Sequence, residues 1–283
     1  MKKTPGTHTP VMLQQVMDGL QIRPESWYVD ATAGQGGYIT EILRRGGCVC
    51  GVDSDKNQID ELTSHFQLPD TKLKLIHGNF SDLSSVVPQD IQPVAGVVFD
   101  LGLSYKQLSH GNRGFSFKKP DEPLDMRIDV SQELTAGEVL NRASFEELEY
   151  MFQKNSEEIH ATQLAREICH KRHETKFEKI SDLLSTIQEV CGQGTRCVSR
   201  VFQALRMEVN NELEVLRKGL QEAVSILEPS GRLVVVTFHL VEDRVVKQVA
   251  HEKLPLKNIS KTRGKSGKTF EQSAVVRVYE KTL

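Results

Sequence analysis

The sequence predicts an α/β fold in which a parallel sheet is covered by helices on both faces and interrupted by an inserted helical domain. Three observations predict it. The first hundred residues alternate short, continuously apolar runs with amphipathic ones, the pattern of strands buried on both sides. After Asp100 that rhythm stops, and from Thr135 to Cys191 only helical signals occur. An apolar strand then reappears at Arg232. At 283 residues the chain can hold one large domain or two.

Taken in order, Trp27 to Thr32 reads as a strand, Gly36 to Arg45 as a helix, and Cys48 to Asp53 as a second strand. Lys56 to Phe66 reads as a helix, with strands at Leu73 to His77 and Val94 to Asp100. Leu101 to Asp129 has neither a helical nor an alternating period, which makes it too long for a simple connection. Capping boxes at Thr135/Glu138 and Ser144/Glu147 then open helices, followed by the apolar set Ala161, Leu164, Ala165 and Ile168. Phe202, Leu205, Val209, Leu213, Leu216, Leu220, Val224 and Leu227 form one stripe at intervals of three and four, ended by Pro229-Ser230-Gly231. A strand from Arg232 to Phe238, a helix around Val241 to Lys253 and a strand near Ser273 to Tyr279 complete the chain. The expected division is 1–108 with 200–283 for the sheet domain, and 109–199 for a loop and helical insertion.

A net charge of -2 gives no general attraction to a polyanion, so nucleic acid would have to meet a local basic surface. Candidates are Lys257 to Lys268 and His170 to Lys179. Met1 to Pro10 is polar, and nowhere do about 18 apolar residues run together. A cytoplasmic enzyme without membrane attachment is therefore the expectation. Cys48, Cys50, Cys169, Cys191 and Cys197 are odd in number and lack paired zinc-ligand spacing, so reduced thiols and no metal site are expected.

Asp30-Ala31-Thr32-Ala33-Gly34-Gln35-Gly36-Gly37 lies where the first strand turns into the first helix. Glycines there let a backbone approach a ligand, and the helix start offers free N–H groups. Asp53 ends the second strand, where a carboxylate can accept both ribose hydroxyls, and Phe80 follows the third, where an aromatic ring can flank adenine. Together these indicate an adenosine-containing cofactor. Ile39 stands where a dinucleotide fingerprint would place its third glycine, so S-adenosyl-L-methionine fits better. Asp100, at the fourth strand's end, is then placed to accept hydrogen bonds from a target amine. The loop beyond it, with its aromatics, arginines and carboxylates, reads as the acceptor site.

At this point whole segments become recognisable. DATAGQGGY (Asp30 to Tyr38), GVDSD (Gly51 to Asp55), DLGLS (Asp100 to Ser104), RGFSF (Arg113 to Phe117), PLDMRID (Pro123 to Asp129), FQALRMEVNNEL (Phe202 to Leu213) and FHLVEDRVVK (Phe238 to Lys247) run nearly the length of the chain, with HTPVML before them. The chain resembles the RsmH/MraW family of bacterial 16S ribosomal RNA cytosine-N4 methyltransferases.

That resemblance implies a Rossmann-like class I methyltransferase sheet whose helical insertion helps to hold RNA. Cofactor contacts fall on Gly36, Gly37, Tyr38, Asp53, Phe80, Asp100 and Gln107. Catalytic roles fall on Asp100, Ser104 and His239, and substrate contacts on Arg113, Phe115, Phe117, Arg127, Glu242 and Arg244. Arg113 and Arg127 serve equally well to brace the loop, and Asn210 and Asn211 to hold it by hydrogen bonds. The partner implied is 16S ribosomal RNA, within the small subunit, with a homodimer left open. The chain departs from the family pattern at Tyr38, Tyr105, Lys106 and Leu240. Two rival readings are a non-catalytic RNA-binding or assembly factor and an NAD-dependent oxidoreductase.

Overall fold

In the computed structural model the described residues are 10–66, 71–110, 112–252, 254–264 and 272–282. His8 of HTPVML and Lys265 and Lys268 of the basic segment lie outside them. The chain forms two units, Met1–Gly102 with Leu213–Leu283, and Leu103–Glu212.

The first unit is built on seven strands, β1 (Trp27–Asp30), β2 (Cys48–Asp53), β3 (Leu73–His77), β4 (Val94–Asp100), β5 (Leu227–Thr237), β6 (Leu256–Arg263) and β7 (Val275–Lys281). Their order is β3-β2-β1-β4-β5-β7-β6. β1 to β5 are parallel, and β7 runs antiparallel to both β5 and β6. Alternate residues of the buried strands feed two cores. Val29, Val52, Val97, Phe99 and Val235 meet α11 (Glu212–Ile226) and α12 (Leu240–His251) on one face. Tyr28, Val49, Val98 and Val234 meet α1 (Leu13–Leu20), α2 (Gly37–Arg44) and α3 (Lys56–Phe66) on the other. Gly19 allows α1 to lie close on the sheet, since a Cβ there would come within 2.7 Å of Val278 Cγ2.

The second unit holds α5 (Tyr105–His110), α6 (Ala136–Arg142), α7 (Phe145–Ser156), α8 (Ala161–Lys171), α9 (Ile180–Cys191) and α10 (Thr195–Val209); α4 (Leu83–Val86) belongs to the first. Both expected capping boxes are present, at Thr135/Glu138 and Ser144/Glu147.

Four expectations change. The stripe from Phe202 to Leu227 is two helices rather than one, because the chain turns at Asn211, whose φ is 46°. Val201, Phe202, Leu205 and Val209 consequently pack in the helical core. By compactness the units divide at 102/103 and 212/213. Pro229-Ser230-Gly231 does not precede β5 but interrupts it, as an irregularity where pairing jumps from Val94–Leu227 to Gly96–Arg232.

The loop after Asp100 is not structureless, since α5 lies within it. Cys191 and Cys197 are joined by a disulfide rather than standing as two free thiols. α9 ends at Cys191, Gly192 turns the chain with φ 73°, and α10 starts at Thr195. The two Cα atoms are thereby brought to 6.4 Å, within bridging reach. Cys48, Cys50 and Cys169 are free.

Candidate active site

Strand order reverses at β1, which has β2 on one side and β4 on the other. The crevice at the carboxyl ends of strands at such a switch point is where open α/β sheets bind ligands. Asp30, Asp53 and Asp100 are the last residues of β1, β2 and β4, so three carboxyl groups cluster at that end of the sheet.

The glycine turn shapes the crevice from below. Gly34 and Gly36 take φ 48° and 75°, and a Cβ on Gly36 would come within 2.7 Å of Leu62 Cδ2. Gly34 N–H donates to Asp53 Oδ2 and Asp55 N–H to Asp53 Oδ1, each at 2.8 Å, which fixes the carboxylate plane. Burial pushes Asp53 up to about 6, against the opposing pull of these two N–H groups. Phe80 stacks edge-on against Phe99, 5.3 Å between centroids, and over Gly219, where a Cβ would come within 2.5 Å of its ring. Tyr38 is buried and donates its hydroxyl to Val11 O at 2.7 Å.

Asp100 and Asp30 form the most perturbed pair. Asp100 N–H donates to Thr32 Oγ1 at 2.7 Å, and Thr32 N–H donates to Asp30 Oδ1 at 3.2 Å. Asp100 Oδ1 and Asp30 Oδ2 are buried without a hydrogen-bond partner. Burial, then the charge of Asp30, push Asp100 up to about 8; Tyr38 opposes this and Glu242 adds to it. Burial likewise pushes Asp30 up to about 7. Leaving such oxygens unpaired is expensive, so they mark a place built for a positive or hydrogen-donating ligand. Asp30 was not singled out from the sequence, although an acid opening a glycine turn after a strand is a readable signal.

In the second unit the acceptor-loop residues are largely engaged with one another. Ser104 and Gln107 cap α5 reciprocally: Ser104 N–H donates to Gln107 Oε1 at 2.8 Å, and Gln107 N–H donates to Ser104 Oγ at 3.2 Å. Arg113 Nη1 donates to the carbonyls of Arg127 and Ile128, and the Arg113 Cζ lies 5.2 Å from the centre of the Phe115 ring. Arg127 makes a two-pronged pair with Asp125 at 2.9 and 2.8 Å. Phe115, Leu124 and Met126 are buried in the helical core, and Phe117 packs edge-on against Phe202. The loop's aromatics are therefore mostly core, because the loop needs its own apolar anchor. Asn210 clamps it, accepting from Ile128 N–H at 2.7 Å and donating to Met126 O at 2.8 Å.

His239 stands at the start of α12, and Glu242 is buried there, accepting from the N–H groups of Phe238 and His239 at 2.9 and 3.1 Å. Arg244 is exposed on the same helix, beside Lys247, Arg217 and His251. The three carboxylates and the glycine turn are thus brought together in one unit, while the loop residues form a brace in the other.

Comparison with known proteins decides between the readings of this site. The MraW methylase family model matches residues 6–266. The chain belongs to the MraW methylase family. It is 38% identical over 259 residues to the ribosomal RNA small subunit methyltransferase H of Dictyoglomus thermophilum, covering 87% of this chain and 85% of that relative. The corresponding enzyme of Halothermothrix orenii is 35% identical over 254 residues, with 87% and 81% covered, and that of Syntrophotalea carbinolica 38% over 250 residues, with 85% and 79%.

Membership of the MraW methylase family makes this an S-adenosyl-L-methionine-dependent methyltransferase on a class I sheet, and removes the oxidoreductase reading. The residues fit that cofactor. Two unpartnered buried carboxylate oxygens suit a sulfonium cation, and the Asp53 carboxylate, fixed by two backbone N–H groups, suits a ribose. Among the described residues, no helix is long and apolar enough to cross a membrane.

Proposed function

We propose that this methylase acts in the cytoplasm on the N4 amine of a cytidine in 16S ribosomal RNA, near the decoding centre of the small subunit. The observation that carries the reading is Asp100 Oδ1, a buried carboxylate oxygen without a partner at the end of the strand beside the cofactor turn. Gly36, Gly37, Tyr38, Asp53 and Phe80 hold the cofactor, which when bound supplies an electrophilic methyl group on a sulfonium.

Asp100, once ionised, would accept a hydrogen of the cytosine amine and so orient its lone pair toward the methyl group that the cofactor would supply. The amine is conjugated, so orientation and polarisation count for more than prior removal of a proton. A base in folded RNA has to be turned out to be reached, which is cheapest where the RNA is not helical. Arg244, with Lys247 and Arg217 nearby, offers phosphate contacts. Arg113, Phe115, Phe117 and Arg127 act by holding the acceptor loop in shape. The names of the relatives support the small-subunit RNA as the substrate.

The test is mass spectrometry of ribosomal RNA from cells with and without the protein. Loss of one N4-methylcytidine from 16S RNA is expected, restored by the native chain but not by Asp100→Ala. An unchanged N4-methylcytidine pattern overturns the assignment of base and substrate.

A further inference from the structure

We propose that Cys191, Cys197 and Glu158 of the helical unit form, once the cysteines are reduced, a binding site for one borderline-soft divalent cation, zinc by its ligand chemistry. The site is independent of the methyl-transfer reading and replaces the sequence expectation that no metal is held. Glu158 sits in the turn between α7 and α8, Cys191 ends α9, and Cys197 lies in the first turn of α10. Three separate stretches of chain therefore deliver a donor each to one place. Both Sγ atoms and a Glu158 carboxylate oxygen lie within 4.8 Å of one another. Tetrahedral zinc bonds of about 2.0–2.3 Å set donor atoms roughly 3.3–3.8 Å apart, so the two sulfurs, bonded to each other in the oxidised pair, would part on reduction while the carboxylate oxygen stays within reach of both.

A second observation points to a ligand. Glu158 is 4% exposed, and its Oε1 accepts from His160 N–H at 3.0 Å. Its Oε2 is buried with no hydrogen-bond donor, the nearest cation being Arg200 Nη1 at 4.0 Å. A buried carboxylate oxygen without a donor is costly, and a metal ion would satisfy it. Two sulfurs and one oxygen favour zinc over magnesium or calcium. Two thiolates and a carboxylate carry 3−, a divalent ion 2+ and Arg200 1+, so the loaded site is neutral. Cys191 is half-buried beside exposed Gly192, which leaves room for water as a fourth ligand.

The disulfide and the metal exclude each other. A dithiol reductant delivers two electrons and two protons to the S–S bond and leaves as its own disulfide. Metal entry then releases the two thiol protons to solvent. The loaded site would tie the α7–α8 turn to the α9–α10 turn in the unit that carries the acceptor loop.

The test is titration of the full-length chain, phosphine-reduced and freed of metal, with cobalt(II) as the spectroscopic probe. A thiolate-to-cobalt charge-transfer band that saturates at one ion per chain, and is bleached by an equal amount of zinc, is expected. Cys191→Ser should lose the band, and Glu158→Gln should shift saturation to higher cobalt, with far-ultraviolet circular dichroism showing that each variant is folded. Absence of the band in the reduced protein overturns the proposal, as does its survival in Cys191→Ser. A free-thiol count that stays at three under reductant overturns it too, since the pair would then never be available.

Discussion

Asp100 and Asp30 are carboxyl groups that burial holds protonated far above the ordinary carboxylate range, to about 8 and about 7. Between pH 4 and these values the unfolded chain has lost both protons while the folded chain keeps them. Stability contributed by the pair is therefore full below about pH 4 and falls as pH rises, by up to about 1.4 kcal/mol per pH unit for each group. Urea unfolding of the cofactor-free protein should show this decline, and Asp100→Asn should flatten it; a slope unchanged by the substitution would remove Asp100 from the linkage. Because the ionised form suits a sulfonium, S-adenosylmethionine should bind more tightly as pH rises towards 8. Its neutral thioether product should gain less, and calorimetry of both ligands against pH separates the two. A third residue-scale effect concerns Gly114, whose φ is 73° and whose Cβ would meet Pro123 O at 2.2 Å. Gly114→Ala should destabilise the helical unit by more than the roughly 1–3 kcal/mol of backbone strain alone, read as a lower midpoint in thermal unfolding.

At the scale of elements, the acceptor loop is held by few but specific bonds. Asn210 bonds to Met126 and Ile128 of the loop and to Arg206 of its own helix, so Asn210→Ala should cost about 1–3 kcal/mol per buried group left unpaired. Hydrogen exchange should quicken around residues 113–128 and not in β1 or β4; uniform quickening would mean that Asn210 supports the whole unit instead. The strands from Trp27 to Asp100 were legible because continuous apolar runs and their bounding glycines leave little choice. β6 was not, because its residues are mostly exposed at the sheet edge and carry no apolar period. The break between α10 and α11 was hidden because Leu213 and Leu216 continue the apolar stripe while the backbone turns at Asn211. Phe115 and Phe117 read as substrate-facing because sequence cannot show that an irregular loop packs its own side chains into a core. The placement of Asp53 and Asp100 at strand ends, by contrast, was legible by position alone, since the apolar runs that make β2 and β4 stop at them.

At the scale of the molecule, strand order places three carboxyl groups and a glycine turn at one end of a sheet, and the family match makes the chain a methyltransferase. The small net charge leaves RNA recognition to local surfaces rather than to a whole-protein field. On the proposed reading Asp100 aims the acceptor, so its substitution should lower transfer on the order of 10²-fold or more while cofactor still binds. The most direct measurement is transfer of labelled methyl from S-adenosylmethionine to small ribosomal subunits lacking the modification, followed by digestion and identification of the labelled base. The account predicts one labelled N4-methylcytidine per 16S RNA with the native chain and almost none with Asp100→Asn. Label on another base, or undiminished transfer by Asp100→Asn, would contradict it.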